Sequence, residues 1–197
     1  MQRTRADAEG DLTAELHARG LPQRPLVGES PAVDLLNTRW IGGGERYDLL
    51  EDEGLTAVWL GGWGLPVEAP PSEVQRHLRD ARDALAAVIA DPAARDGVNA
   101  LLAHGRIRLS LDDGGPAEHH DVADPARRPA FACLREYLRL AASSPARVRK
   151  CGNPDCVLHF HDTSRTGERR WCSMAACGNR FKARRHRSRT ASAGGAD

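Results

Sequence analysis

Apolar side chains recur at helical spacing through much of the first 145 residues. One helical face is formed by Leu55, Val58, Trp59 and Trp63, and Gly64 is suited to end that helix before Pro66. A longer helix is predicted to begin at a capping-box pattern, Ser72 and Gln75, and to run to about Ala90. Its apolar stripe consists of Val74, Leu78, Ala81, Leu85 and Val88. The pattern therefore predicts a mostly helical N-terminal domain.

Two further helices follow. Asp91-Pro92 is expected to cap a helix that stops at Gly105. The next helix carries Phe131, Leu134, Leu138 and Ala141 on one face, and Ser143-Ser144-Pro145 ends it. Cys133 lies within this stretch and is expected to be a small buried side chain.

Alternating patterns are shorter and predict a small antiparallel element. Ile107, Leu109 and Leu111 lie on one face of a strand in RIRLSL, residues 112–115 form a turn, and EHHDVAD supplies a returning strand. Residues 31–38, PAVDLLNT, are interpreted as a short buried strand that ends in a turn, and the glycines at 42–44 as a loop. At the end of this strand, Asp34, Asn37 and Thr38 either contact a ligand or cap the connection, and capping is favoured.

The C-terminal part contains two matched C-x4-C pairs. Their members are Cys151, Cys156, Cys172 and Cys177, and fifteen residues separate the pairs. Four thiolates arranged in this way fill the tetrahedral coordination of one structural Zn(II) and leave no open position for catalysis. Iron in place of zinc and a reduced, metal-free set are the alternatives. His159, His161 and His186 are secondary candidates for ligands.

Turn residues organise this zinc module. Asn153-Pro154-Asp155 predicts a tight knuckle, VLHFH an alternating strand, and residues 162–171 a hairpin tip with Gly167 at its turn. Ser173 is expected to cap a helix that contributes the last ligands. Knuckle, hairpin and helix in this order predict a treble-clef-like module, so the fold class is α+β overall. A module of about forty residues buries little core, so zinc is expected to supply much of its folding free energy.

Charge is distributed unevenly although the net charge is only +1. Residues 147–189 contain twelve Lys/Arg and three Asp/Glu, whereas residues 1–146 are net acidic. With four thiolates and one Zn(II) bound, the module keeps a charge of about +7. The expected phosphate contacts are Arg165, Arg169, Arg170, Arg180, Lys182, Arg184, Arg185 and Arg187.

This concentration of charge indicates a nucleic-acid partner, with DNA favoured over RNA because a helix bearing arginines suits a major groove. RNA stays an alternative because Trp171 and Phe181 offer rings for stacking on unpaired bases. A solvated face would also account for the charge, as would an acidic protein partner, including the acidic body of the same chain.

The same residues resemble a known family. The pattern R-x-C-x-N-P-x-C, then F-x-D-T-S-R, then R-R-W-C-S-M-x-x-C-G-N-R-x-K-x-R-R-H-R, resembles the CGNR zinc finger. Residues 34–38, DLLNT, with later D-L-L and W-L segments, are similar to the ABATE domain that precedes this finger. The resemblance implies a stress-induced transcriptional regulator that binds DNA. His161 is a departure, because an apolar residue is expected before Asp-Thr-Ser-Arg.

The expected organisation has four parts: a flexible segment at 1–27, an ABATE-like domain at 28–145, the zinc finger at 146–189 and a flexible tail at 190–197. The N-terminal domain is expected either to sense a small-molecule or protein signal or to mediate homodimerisation. The sequence contains no nucleophile elbow, P-loop, dinucleotide fingerprint or HExxH motif, so an enzyme is not expected. No apolar run reaches membrane-spanning length, and reduced paired cysteines favour a cytoplasmic location.

Overall fold

The computed structural model describes residues 5–65 and 68–184, with side chains from Asp11 onward. Six helices of this part are α1 (Arg5–Ala18), α2 (Pro31–Leu36), α3 (Glu53–Gly62), α4 (Pro71–Ala90), α5 (Arg95–Leu102) and α6 (Arg128–Ser143). Short 3-10 turns occupy Leu49–Glu51, Pro92–Ala94 and Pro125–Arg127. The predicted α+β class with a mostly helical N-terminal domain is confirmed.

The strands of the described residues form three antiparallel pairs: β1 (Arg39–Gly42) with β2 (Glu45–Asp48), β3 (Gly105–Asp112) with β4 (Gly115–Val122), and β5 (Val148–Lys150) with β6 (His159–His161). The predicted hairpin around residues 112–115 is confirmed, with Leu109 opposite Glu118. Gly43 and Gly44 form the connection between β1 and β2, whereas Gly42, expected in the same loop, is the last residue of β1 and pairs with Glu45.

Residues 31–36 were expected to be a strand, and this prediction is wrong. Pro31 occupies the first turn of α2, and the Asp34 N–H donates to the Ser30 carbonyl over 2.7 Å. Every residue from Ala32 to Leu36 is buried. A short helix that is buried all round shows no apolar periodicity, so its sequence cannot be told from that of a buried strand.

The capping box expected at Ser72 and Gln75 is also wrong. The helix α4 follows Pro70 and begins at Pro71, which needs no side-chain cap for its missing N–H. Gln75 is buried and its side-chain amide donates to Thr56 Oγ1 over 3.3 Å. The predicted end of α3 is confirmed, because Gly64 has a φ of 63° and the Leu65 N–H returns to the Leu60 carbonyl.

Two helix details differ from the expected pattern. The helix α5 ends at Leu102, and Gly105 begins β3 instead of ending the helix. A Cβ at Gly105 would lie 2.5 Å from the Phe131 ring, so this glycine allows the hairpin to approach α6. On α6, Leu138 is 44% exposed, whereas Cys133 is fully buried as expected.

The helical part of the chain, up to residue 146, is called here the body. One continuous apolar core contains residues of both the body and the cysteine-rich zinc module that follows it. Trp59, Leu78 and Leu134 belong to it, together with Leu158 and Phe160 of the C-terminal part. The strand β6 packs against α2, and β5 packs against α4. The body therefore fixes the position of the zinc module.

Candidate metal centre and cationic surface

The four cysteines predicted to bind metal are brought together. Their sulfur atoms all lie within 4.8 Å of one another, with 3.8 Å between Cys156 and Cys172 and 3.6 Å between Cys172 and Cys177. Zinc–thiolate bonds of about 2.3 Å place tetrahedral ligands about 3.8 Å apart. The four buried thiols therefore fit one structural Zn(II).

The first pair is held by the knuckle between β5 and β6. The Cys151 N–H donates to the Leu158 carbonyl over 2.8 Å, and the Cys156 N–H donates to the Asn153 carbonyl over 2.9 Å. The buried Asn153 side chain also accepts the Asp155 N–H, which closes the turn. These bonds aim both sulfur atoms to the same side, as the sequence predicts for a knuckle.

The second pair lies at the start of the last helical segment. Ser173 Oγ accepts the Ala176 N–H over 3.3 Å, so the predicted cap is confirmed. A π-helical turn, Met174–Gly178, then carries Cys177, and residues 179–184 continue as α-helix. The Cys172 N–H points at Cys151 Sγ over 3.4 Å, a contact that stabilises a thiolate and joins the two pairs.

The thiols differ in how readily they lose their protons. The hydrogen bond with the Cys172 thiol lowers the pKa of Cys156 to about 5, and the same interaction raises the pKa of Cys172. Burial raises the pKa of Cys177. Because zinc binds thiolates, metal binding to this set displaces the remaining protons, and zinc affinity is expected to fall in acid.

His159 and His161, which were weighed as ligands, lie outside this cluster. Within the described residues, the close-set ligand atoms in this part of the chain are those of the four cysteines. His159 is buried in β6, and burial lowers the pKa of its imidazole to about 4. His186 lies outside the described residues.

The loop after β6 is built around Asp162. This buried carboxylate accepts the N–H groups of Ser164 and Arg169, both over 3.0 Å, and the Ser164 hydroxyl over 2.5 Å. The bonds from Ser164 lower the pKa of Asp162. Gly167 has a φ of 68°, as expected of a turn residue. The expectation of a hairpin with this loop at its tip is wrong, because β6 pairs with β5 instead.

Asn37 joins the zinc module to the body. Its side-chain amide donates to the His159 carbonyl over 2.9 Å and accepts the His159 N–H over 2.8 Å. Asn37 is only 1% exposed, so both bonds are shielded from water. Glu29 adds a second link by accepting the His161 N–H over 3.2 Å. Sequence reasoning placed Asn37 at a strand end and missed this role, because no local pattern points to the distant His159.

The neighbouring polar residues Asp34 and Thr38 serve the body itself. Asp34 accepts the indole N–H groups of Trp59 and Trp63 over 2.8 and 2.9 Å. Thr38 Oγ1 donates to the Leu35 carbonyl and accepts from Arg82. These contacts support neither a ligand site nor a simple strand cap.

The expected phosphate-binding residues fall into four groups. Arg165, Arg170, Arg180 and Lys182 are exposed. Arg169 is half-buried, where it donates to the Trp171 and Cys172 carbonyls and lies 4.5 Å above the Phe160 ring. Arg184 is exposed and pairs with Asp155 of the knuckle over 3.0 Å. Arg185 and Arg187 lie outside the described residues.

The zinc module thus divides its basic side chains between two tasks. Arg169 supports the metal site, and the four exposed residues of the first group, called here the cationic surface, face solvent. Trp171 and Phe181 pack against each other with ring centroids 4.7 Å apart. Among the described residues, none of the helices combines the length and apolar composition needed to cross a bilayer.

Comparison with known families agrees with this arrangement. Residues 147–190 match the CGNR zinc finger, and residues 29–150 match ABATE, a family described as a putative stress-induced transcription regulator. No curated protein matches the chain significantly. The family match covers more than half of the chain and ends where the four-cysteine site begins. The chain therefore belongs to the ABATE family and carries a CGNR zinc finger that can hold one zinc ion.

Proposed function

We propose that this protein is a zinc-dependent, DNA-binding transcriptional regulator. The observation that carries the proposal is the cationic surface, whose four side chains stay exposed while the zinc module is docked on the acidic body. The remaining expected contacts, Arg169, Arg184, Arg185 and Arg187, belong to the same module. The regulatory description of the ABATE family supports the same conclusion.

The way the zinc module packs on the body leaves the cationic surface exposed, which argues against the alternative in which the acidic body covers these basic side chains. Contact between the two parts is made by β5 and β6, through Phe160 and the Asn37 bonds. The cationic surface belongs to the loop after β6 and to the last helical segment. Both segments are anchored by the cysteine cluster, so loss of zinc should release the side chains that bind phosphate.

The proposed binding mode has a backbone part and a base-reading part. Exposed arginines in the loop suit phosphate oxygens, which supply most of the affinity and depend on salt. Arg180 and Lys182 lie on the last helical segment, and a helix is the element that fits a major groove. RNA and an acidic protein are the competing partners.

Alanine substitution of the cationic surface tests the proposal. The Arg170→Ala/Arg180→Ala double variant should keep its zinc content and bind a mixed-sequence DNA duplex roughly tenfold more weakly at 0.15 M salt. Arg95→Ala, which removes an exposed arginine from α5 of the body, is the matched control and should bind like the wild type. Equal affinities for all three proteins would contradict the proposal. Tighter binding to single-stranded RNA than to the duplex would favour RNA as the partner. Binding to an acidic protein that persists after nuclease treatment would favour a protein partner.

A further inference from the structure

The hairpin of β3 and β4 exposes a stripe of apolar side chains. Ile107, Leu109 and Leu111 are 43%, 73% and 82% exposed and lie on one face of β3. Long exposed strands with apolar side chains are normally covered, because they recruit further strands. The apolar stripe and the free edge of β3 are therefore expected to be covered by another protein segment.

Among the described residues, the body contacts this hairpin mainly along β4, and β3 approaches α6 at its first residue, Gly105. On β4, His120 packs edge-on against Phe131 with centroids 5.6 Å apart, and Glu118 pairs with Arg135. Both contacts place α6 under the face that carries the apolar stripe. In the described part of the chain, β3 pairs with β4 alone.

The outer edge of β3 offers its backbone groups at the apolar positions. The two-residue connection makes Asp112 and Gly115 a hydrogen-bonded pair, and such pairs alternate along an antiparallel ladder. The N–H and C=O groups of Ile107, Leu109 and Leu111 therefore point away from β4. The edge of β4 is less suited to pairing, because Pro116 has no N–H to offer there.

We infer that the covering segment is β3 of a second copy, paired antiparallel about a two-fold axis through Leu109. The strand is self-complementary in this register: Arg106 faces Asp112 of the other copy, Ile107 faces Leu111, Arg108 faces Ser110, and Leu109 faces itself. Opposite charges and apolar pairs directly across a sheet stabilise the pairing. The same register places the outward backbone groups of both copies in hydrogen-bonding positions.

The resulting dimer contains a four-stranded sheet with order β4-β3-β3-β4. A two-fold axis perpendicular to the sheet puts both apolar stripes on the same side, above the two copies of α6. There Leu138, which is 44% exposed, adds an apolar side chain from each helix. The pairing thus gathers exposed apolar side chains of two chains into one shared layer.

Cysteine cross-linking tests the register. Directly opposed residues in a hydrogen-bonded pair lie about 5.5 Å apart at Cα, which suits a disulfide. Zinc-loaded Leu109→Cys should form a covalent dimer on mild oxidation. The matched control is Leu111→Cys, which has the same chemistry and similar exposure. Its Cα lies about 14 Å from that of its counterpart in the other copy, so this variant should not form a covalent dimer. Equal cross-linking of the two variants would overturn the proposal.

Sedimentation without cross-linking supplies the second test. The wild type should sediment as a dimer of the 21.4 kDa chain. Leu109→Lys, which places two like charges face to face, should be monomeric with an unchanged circular dichroism spectrum. Arg106→Asp and Asp112→Arg should each raise the dimer Kd roughly tenfold, because each opposes like charges twice, and the double variant should restore it. A monomeric wild type, or a dimer indifferent to Leu109→Lys, would overturn the proposal.

Discussion

Replacing Asn37 by alanine should loosen the zinc module from the body. The Asn37 amide bonds both backbone groups of His159, with distances of 2.9 and 2.8 Å, across 122 residues of sequence. Alanine removes both partners and cannot replace either. The His159 N–H and C=O groups would then stay buried without a hydrogen bond, because Asn37 is 1% exposed and little water reaches the site.

The magnitude follows from the number of groups left without partners. A buried backbone group without a hydrogen bond costs about 1–3 kcal/mol, so two such groups cost about 3 kcal/mol when partial relaxation is allowed. Each 1.4 kcal/mol changes an equilibrium constant tenfold, so the state in which the zinc module is detached from the body should be populated roughly a hundredfold more. The effect should be concentrated in β5 and β6.

Hydrogen exchange of the zinc-loaded protein, measured by mass spectrometry, resolves this effect. Peptides covering residues 147–162 should exchange roughly a hundredfold faster in Asn37→Ala, whereas peptides from α4 should change little. Asn99→Ala is the matched control, because Asn99 is exposed on α5 and its loss should change stability by less than about 0.5 kcal/mol. Unchanged protection of residues 147–162 in Asn37→Ala would refute the idea that these two bonds hold the finger in place.

Three further predictions concern the metal site, a buried histidine and the hairpin. Cys172→Ser should bind no zinc, and its zinc module should unfold. Cys133→Ala is the control and should keep one zinc per chain by metal analysis. Full zinc occupancy of Cys172→Ser would show that Cys172 is not a ligand. Burial lowers the pKa of His159 to about 4, so the unfolded chain, with an ordinary pKa of about 6.5, takes up its proton first. The contribution of this neutral histidine to the free energy of unfolding is therefore complete above pH 6.5 and decreases as the pH falls toward 4. An NMR titration that gives the His159 imidazole a pKa near 6.5 would contradict this. Gly105→Ala should destabilise the protein by about 1–3 kcal/mol in urea unfolding, because its Cβ would lie 2.5 Å from an aromatic ring, whereas Gly114→Ala, with open space around it, should be nearly neutral. Equal stability of the two glycine variants would contradict the packing argument.

The sequence predicted the elements with clear periodicity and clear stop signals. The helix ending at Gly64 and the hairpin at 112–115 follow from turn chemistry and from apolar spacing, and both are confirmed. The four cysteines were also identifiable, because paired thiols at short spacing have few other uses in a reduced protein. Local rules suffice where one residue type has one dominant physical role.

Tertiary contacts decided what the sequence pattern could not. The helix α2 is buried on all sides, so residues 31–36 lack the alternation or periodicity that separates helix from strand. Gln75 fits a capping box, but its amide bonds Thr56 in the core. The strand β6 pairs with β5, and the sequence pattern did not predict a strand at residues 148–150. In each case a distant neighbour supplies the preference.

The docking of the zinc module depends on the same kind of long-range information. Asn37 and His159 are far apart in the chain, and neither residue alone indicates the pairing. Arg169 shows the converse, since its charge suggested phosphate binding while its guanidinium bonds two carbonyls beside the cysteines. Net charge locates a basic module, but only the folded arrangement separates structural arginines from exposed ones.

The salt dependence of DNA binding tests the central claim most directly. Fluorescence anisotropy of the zinc-loaded wild type with a mixed-sequence duplex should show log K falling linearly with log salt concentration. A slope of about −4 is expected from the four exposed residues of the cationic surface, at about −0.9 for each phosphate contact. Absence of binding at low salt, or an affinity that does not change with salt, would contradict the proposal that this zinc finger binds DNA.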